Sequence, residues 1–211
     1  MTAEVSDGTL RFAAGSLVVI TGLPGAGKST LLARLYGLTG EEIAPVAVGA
    51  VRVIDSGQSR NRWARSLAWV AKPVRTLVVY LTHVSRIARM LADGHSVVAH
   101  NRGAWAHVLY GFAWLARRYG REFHLVLLDV EPETALAGQR VRGRVVAPGT
   151  FARHCRRWRR LIGQVRSGKP GPATSVTVLD REAADAVRGI VFVEWKVVAA
   201  GSPGRGGRSR P

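Results

Sequence analysis

The sequence predicts an α/β fold of three layers, in which a five-stranded parallel sheet lies between helices on both faces. Short apolar segments rich in β-branched residues alternate with longer segments whose apolar residues recur at helical spacing. Because parallel neighbours in a sheet need long crossover connections, this alternation favours a parallel sheet that helices cover on both faces. A glycine-rich turn between the first such strand and the first helix supports the same fold.

The predicted strands are short and apolar, as buried parallel strands are. The first reads LVVIT at residues 17–21 and leads into the glycine-rich turn. The others are predicted at residues 50–54, 96–99, 123–128 and 175–179. Because each is followed by a turn or by a helical segment, they should lie side by side with their carboxyl ends at one edge.

The predicted helices follow from the recurrence of apolar residues at helical spacing. The first, at residues 28–36, carries a leucine stripe, and a longer one from Pro73 ends at Asp93 and Gly94. A third extends to Tyr119. Further helices are predicted from Pro132 toward residue 140 and from about residue 182.

The segment GLPGAGKS at residues 22–29 matches the pattern G-x-x-x-x-G-K-[ST] in the strand–turn–helix context that a P-loop requires. Backbone N–H groups of such a loop point at phosphate oxygens, and the positive end of the helix dipole assists them. Lys28 is predicted to reach the β- and γ-phosphates, and the Ser29 hydroxyl to bind Mg²⁺. The predicted binding site for ATP comprises Gly22, Leu23, Pro24, Gly25, Ala26, Gly27, Lys28, Ser29 and Thr30.

Two further groups are candidates for catalysis. Asp55 follows the second strand, where open α/β sheets bind ligands, and is either a general base or a cap of the following turn. Arg140, Arg142 and Arg144 form either a phosphoryl clamp on a lid that bends at Gly143 or a solvated basic stretch.

Composition restricts the class of protein. Lys and Arg number 31 against 14 acidic residues, and the net charge of +17 attracts nucleotide phosphates and nucleic acid alike. A coding bias toward arginine is an equally good explanation of that charge. The length suits one domain at residues 1–200, followed by a flexible basic tail at residues 201–211.

Three observations on the sequence bear on localisation and membrane insertion. Cys155 is the single cysteine, and the first residues lack the basic and apolar regions of a secretion signal, so a cytoplasmic protein is expected. No apolar run reaches the length of about 18 residues that a membrane span needs.

These features together resemble the small P-loop kinases and AAA-domain ATP-binding proteins, a group that includes zeta-toxin-like kinases and the kinase domain of polynucleotide kinase. The resemblance runs over residues 17–178 and is carried by ITGLPGAGKSTLL, VRVIDS, GHSVVAHN, LVLLDV and RVRGRVVAPGTFARHCRRW. It implies a three-layer P-loop NTPase fold with a short Arg-rich lid. It also implies that Asp55 contacts the acceptor hydroxyl, while Arg140, Arg142 and Arg144 stabilise the transferring phosphoryl group.

One position departs from the pattern that the resemblance implies. The strand that commonly ends in aspartate in such kinases ends here at His100, and a neutral imidazole is a poor partner for hydrated Mg²⁺. Either Asp129, Asp55 or Asn101 supplies the oxygen instead, or turnover is weak. His100 itself either touches the acceptor or is an ordinary residue at a strand end.

The sequence therefore predicts a phosphotransferase that moves the γ-phosphate of Mg-ATP to a hydroxyl of an unidentified acceptor. The alternative is a nucleotide-binding regulatory or nucleic-acid-binding protein without efficient phosphoryl transfer. His100 and the net charge of +17 favour that alternative.

Overall fold

The computed structural model describes residues 5–101, 106–141, 143 and 145–194. Two of the predicted lid arginines, Arg142 and Arg144, lie outside these residues, and so does the predicted tail at residues 201–211.

The strands of the described chain form two sheets. They are β1 (Val5–Ser6), β2 (Thr9–Ala13), β3 (Leu17–Gly22), β4 (Val46–Val48), β5 (Val51–Ile54), β6 (Ser96–His100), β7 (Phe123–Leu128), β8 (Ser175–Leu179) and β9 (Gly189–Val193). The larger sheet has six strands in the order β4-β5-β6-β3-β7-β8, and the smaller has the order β1-β2-β9. All neighbours from β5 to β8 in the larger sheet are parallel, whereas β4 is antiparallel to β5. The predicted α/β fold with five parallel strands is confirmed, and β4 is an antiparallel addition at its edge.

The helices connect these strands. They are α1 (Lys28–Tyr36), α2 (Ser56–Trp63), α3 (Lys72–Ala92), α4 (Ala106–Arg118), α5 (Pro132–Val141), α6 (Pro148–Arg166) and α7 (Arg181–Ala186). Every residue of β3, β6 and β7 is buried, so both faces of these central strands are covered. In the described part of the chain, no helix is both long and apolar enough to cross a membrane.

The register of the parallel strands brings the predicted site residues to one edge of the sheet. Ile20 of β3 pairs with His100 of β6, and Ile54 of β5 pairs with Ala99. Residues that follow these strands therefore lie close together at their carboxyl ends, where α/β proteins bind ligands. The glycine-rich loop, Asp55 and His100 meet at this edge.

The helix α6 is fixed to the sheet by a buried tryptophan. Trp158 is 3% exposed, and its Nε1 donates a hydrogen bond to Asp129 Oδ1 at 2.8 Å. Arg166, near the end of α6, donates to the other oxygen of Asp129 at 3.1 Å. The carboxylate that follows β7 is thus bonded to α6.

Candidate active site

The glycine-rich loop curves tightly between β3 and α1 and passes close to α5. Gly25 has a φ of +95°, a region that side chains with a Cβ rarely adopt. A Cβ placed on Gly25 would lie 1.9 Å from the carbonyl oxygen of Ala135 in α5. Only glycine therefore fits this position, and the loop rests directly on the backbone of α5.

The N-terminus of α1 is arranged to receive an anion. Gly27, which precedes the helix, has a left-handed conformation with φ of 93° and offers no side chain to cap the first N–H groups. The first turn of α1 contains no acidic residue. The first N–H groups and the positive end of the helix dipole therefore face the cleft, an arrangement that suits phosphate.

Lys28 lies inside the curve of the loop rather than in solvent. The residue is 5% exposed, and its Nζ donates to the carbonyl oxygens of Gly22 at 2.9 Å and Leu23 at 2.7 Å. The ammonium group is thus held beside the loop whose N–H groups are predicted to bind phosphates. Leu23 and Ala26 are buried, so any contribution that they make to binding comes from the backbone.

Asp55 caps α2 and also faces the P-loop. It accepts a hydrogen bond from the Gly57 N–H through Oδ1. Its Oδ2 accepts from Ser29 Oγ at 3.0 Å and lies 3.0 Å from His100 Nδ1. Burial acts to raise the pKa of the Asp55 carboxyl. The hydrogen bond and charge of His100, with the bonds from Gly57 and Ser29, outweigh that effect and hold the pKa well below its usual range. Asp55 is therefore ionised at neutral pH.

The residues around Ser29 fit a magnesium ion that a nucleotide brings with it. Ser29 donates its hydroxyl proton to Asp55, which leaves the lone pairs of Oγ for a cation. Mg²⁺ prefers oxygen ligands and commonly takes one or two from protein, with phosphates and water supplying the rest. The described residues contain no cluster of His, Cys, Asp and Glu that would hold a metal alone, and Mg-nucleotide binding requires none.

A cleft of about 840 Å³ connects these groups. Pockets for small ligands commonly occupy about 300–1,000 Å³, so this cleft lies in the upper part of that range. Of the predicted residues, the cleft is lined by Pro24, Gly25, Gly27, Lys28, Ser29, Thr30, Asp55 and His100.

Some of the predicted residues lie elsewhere. Arg140 is exposed near the end of α5 and does not line the cleft. Asp129 is bonded to α6 and does not line the cleft. Asp55, another of the three candidate oxygen donors, accepts a hydrogen bond from Ser29 Oγ at 3.0 Å. The third candidate, Asn101, is buried.

In a comparison with known families, residues 17–160 match a family described as an AAA domain. The chain belongs to this AAA domain family. A comparison with curated proteins found no significant match.

Solved structures with a similar fold agree with this assignment. One, from the PezAT chromosomal toxin-antitoxin system of Streptococcus pneumoniae, is 16% identical with a TM-score of 0.57 and covers 92% of this chain and 84% of its own. The tunicamycin resistance protein of Deinococcus radiodurans is 12% identical with a TM-score of 0.53, covering 82% and 92%. A kinase candidate of Chloroflexus aurantiacus is 15% identical with a TM-score of 0.53, covering 80% and 86%. The predicted resemblance to P-loop kinases is therefore confirmed for the fold.

One wall of the cleft in this AAA domain lies outside the P-loop. It is formed by polar residues of α2 and of the loop that follows α1, namely Thr39, Gly40, Glu42, Gln58, Arg60 and Asn61. Asn61 Nδ2 donates to the carbonyl oxygens of Gly40 at 2.8 Å and Glu42 at 3.1 Å, which fastens the loop to α2. The segment SGQSRNRW has no apolar periodicity, so its pattern did not predict the helix.

Gln139 of α5 also lines the cleft, and the sequence did not predict this. Its side-chain Nε2 donates to the carbonyl oxygen of Pro24 at 2.8 Å, and its Oε1 accepts from the Val146 N–H at 2.8 Å. One buried amide thus joins the P-loop to the segment that follows the predicted lid arginines.

His154 and Trp158 are four residues apart on α6 and differ in their surroundings. Trp158 is buried and bonded as described, but His154 is half-buried and lines the cleft. Burial, together with the positive charges of Arg157, Arg153 and Lys28, lowers the pKa of His154. A neutral imidazole therefore faces the cleft at neutral pH.

Proposed function

We propose that this protein is an ATP-dependent phosphotransferase that moves the γ-phosphate of Mg-ATP to a hydroxyl group of a second substrate. The observation that carries the proposal is the hydrogen bond of 3.0 Å between Ser29 Oγ and Asp55 Oδ2. It joins the nucleotide-binding loop to an ionised carboxylate in the same cleft. A phosphoryl donor and a proton acceptor are the two groups that kinase chemistry needs side by side.

The nucleotide side of the reaction belongs to the P-loop. The N–H groups at the start of α1 and the Lys28 ammonium bind the phosphates and balance the charge that develops on them. When bound through Ser29, Mg²⁺ would neutralise negative charge on the β- and γ-phosphates. The chain's own residues therefore position the γ-phosphorus toward Asp55.

The acceptor side of the reaction belongs to Asp55 and the polar wall formed by α2. The acceptor oxygen forms a bond to the γ-phosphorus as the bond from that phosphorus to the bridging oxygen breaks, and ADP leaves. Asp55 takes the proton that the acceptor hydroxyl releases. Gln58, Arg60 and Asn61 line this part of the cleft, which suits a polar acceptor.

The lid arginines Arg140, Arg142 and Arg144 are proposed to stabilise the transferring phosphoryl group. The support is positional, since Val145 and Val146, which follow them directly, line the cleft. Arg140 is exposed, so it would have to swing inward when the lid closes over the nucleotide.

The proposal is tested by following radiolabelled γ-phosphate from Mg-ATP in the presence of sugars, nucleosides and amino alcohols as separate acceptor pools. We expect a labelled organic product from at least one pool, and its loss when a chelator removes Mg²⁺. Release of inorganic phosphate alone, with the same rate in every pool, would show a nucleotide hydrolase instead.

The basic outer face of α6 favours a second candidate function, the binding of nucleic acid. Arg153, Arg156, Arg159 and Arg160 are exposed on this helix, and the chain carries a net charge of +17. Among the described residues, none of these four arginines forms an ion pair with a carboxylate. A row of such side chains can contact successive phosphates of a nucleic-acid backbone.

Salt dependence tests this second candidate. We expect a fluorescent DNA strand to bind with an affinity that falls steeply with salt, and Arg156→Gln with Arg160→Gln to reduce that dependence. Arg11→Gln with Arg188→Gln is the matched control, because both arginines are exposed but lie away from α6, on β2 and before β9. If the double variant and the control bound DNA equally, α6 would be excluded as the binding surface.

A further inference from the structure

His100 lies in direct contact with the candidate base. It is the last residue of β6, and its Nδ1 is 3.0 Å from Asp55 Oδ2. The two side chains are 7% and 13% exposed, so water competes little for this contact. A hydrogen bond between two groups so enclosed restricts the orientation of both.

The proton in this contact belongs to the imidazole. An ionised carboxylate can only accept hydrogen bonds, so Nδ1 of His100 must carry the hydrogen. Asp55 is then held by three donors, namely Gly57 on Oδ1 and Ser29 and His100 on Oδ2. Gly57 and Ser29 belong to α2 and to the P-loop, whereas His100 holds the carboxylate from the central sheet.

We propose that His100 is a positioning residue, which donates from Nδ1 to Asp55 Oδ2 and fixes the carboxylate in the orientation that receives the acceptor proton. This role rests on the proposed phosphotransferase function. The imidazole at the end of β6 then has a use that does not require it to approach a metal. A base displaced by even about 1 Å can slow a reaction by about a hundredfold, so fixing its orientation has a large effect.

The surroundings of His100 preserve its contact with Asp55. His83 of α3 is 3% exposed and packs edge-on against Phe112, with ring centroids 6.5 Å apart. Burial, together with the positive charge of His100, lowers the pKa of His83 to about 4. His83 is therefore neutral at neutral pH and adds no positive charge that would compete with His100 for Asp55.

The contact itself can be tested without any acceptor. Long-range ¹H–¹⁵N NMR of the nucleotide-free protein at neutral pH reports which ring nitrogen of His100 carries a hydrogen. We expect a protonated Nδ1, and a changed Nδ1 resonance in Asp55→Asn. A bare Nδ1 in the wild-type protein would overturn the proposal whatever the enzyme transfers.

The effect of His100 on the transfer rate is tested by two substitutions, one that removes the hydrogen-bond donor and one that keeps a donor. His100→Phe keeps a ring but removes the donor, whereas His100→Asn keeps an N–H close to the place of Nδ1. We expect His100→Phe to lower kcat by up to about a hundredfold with an unchanged Kd for ATP, and His100→Asn to recover most of that loss.

The outcomes separate the positioning role from the proposed function. If His100→Phe transfers phosphate at the wild-type rate while Asp55→Asn does not, positioning is wrong and the phosphotransferase stands. If the wild-type protein transfers phosphate to no acceptor pool, the proposed function fails and the NMR result alone decides the contact. Thermal unfolding of each variant shows whether it is folded.

Discussion

Replacing Lys28 with alanine is expected to abolish phosphoryl transfer. The ammonium group lies within the curve of the P-loop, held by the carbonyl oxygens of Gly22 and Leu23. Without it, the charge that would develop on the transferring group loses a fixed cation held by the P-loop. Loss of one such charge-stabilising donor commonly costs about a hundredfold to a thousandfold in rate, and nucleotide affinity should fall as well. Labelled-phosphate transfer and calorimetric titration with ATP measure the two effects.

The control for this change is Lys72→Ala, because Lys72 is exposed at the start of α3 and lies outside the cleft. It should retain wild-type transfer and nucleotide affinity. Lys28→Met keeps most of the aliphatic stem, so it separates loss of charge from loss of packing in the loop. A Lys28→Met protein that transferred phosphate at the wild-type rate would show that the ammonium has no role in the reaction.

Asp55→Asn is expected to remove transfer while leaving nucleotide binding nearly unchanged. Asparagine is nearly the same size, and its oxygen can still accept from Gly57 or Ser29, but its amide cannot take a proton from the acceptor. General-base catalysis contributes about a hundredfold to ten-thousandfold, so the rate should fall by that order. Single-turnover transfer and ATP titration of the same preparation distinguish the chemical step from binding.

Asp180→Asn is a matched control for Asp55→Asn. Asp180 also caps a helix, since its side chain accepts from the Ala183 N–H at the start of α7, but it does not line the cleft. If Asp55 were only a cap, the two substitutions would lower thermal stability alike and leave transfer intact. A loss of transfer in Asp55→Asn alone assigns the carboxylate to the reaction.

The parallel sheet could be predicted because its strands carry a local signal. β3 and β7 are mostly apolar, with Thr21 and His124 as their polar residues, which is typical of strands buried on both faces. The smaller sheet carries no such signal. Its main pairing joins Thr9 to Gly189 and Ala13 to Val193, and partners so far apart in sequence cannot be inferred from local periodicity.

Some parts of the candidate site could likewise be predicted from the sequence, and others could not. The P-loop could be predicted because its backbone requires glycine at fixed positions. At Gly25, for example, a Cβ would collide with the carbonyl oxygen of Ala135. Asp55 could be placed by its position after a strand. The contact between Asp55 and His100 could not, because it depends on the lateral order of β5 and β6 in the sheet. The helix α2 could not be predicted either, since its residues follow no periodic pattern.

The side chain of Gln139 connects the P-loop to the backbone that follows the predicted lid arginines. A planar amide is rigid, so its oxygen and nitrogen cannot move independently, and here they bond to Val146 and Pro24. A displacement of the P-loop at Pro24 that keeps both hydrogen bonds would tilt this amide and shift the backbone at Val146. Phosphate binding that moved the P-loop would then affect the backbone at Val146 through a single side chain.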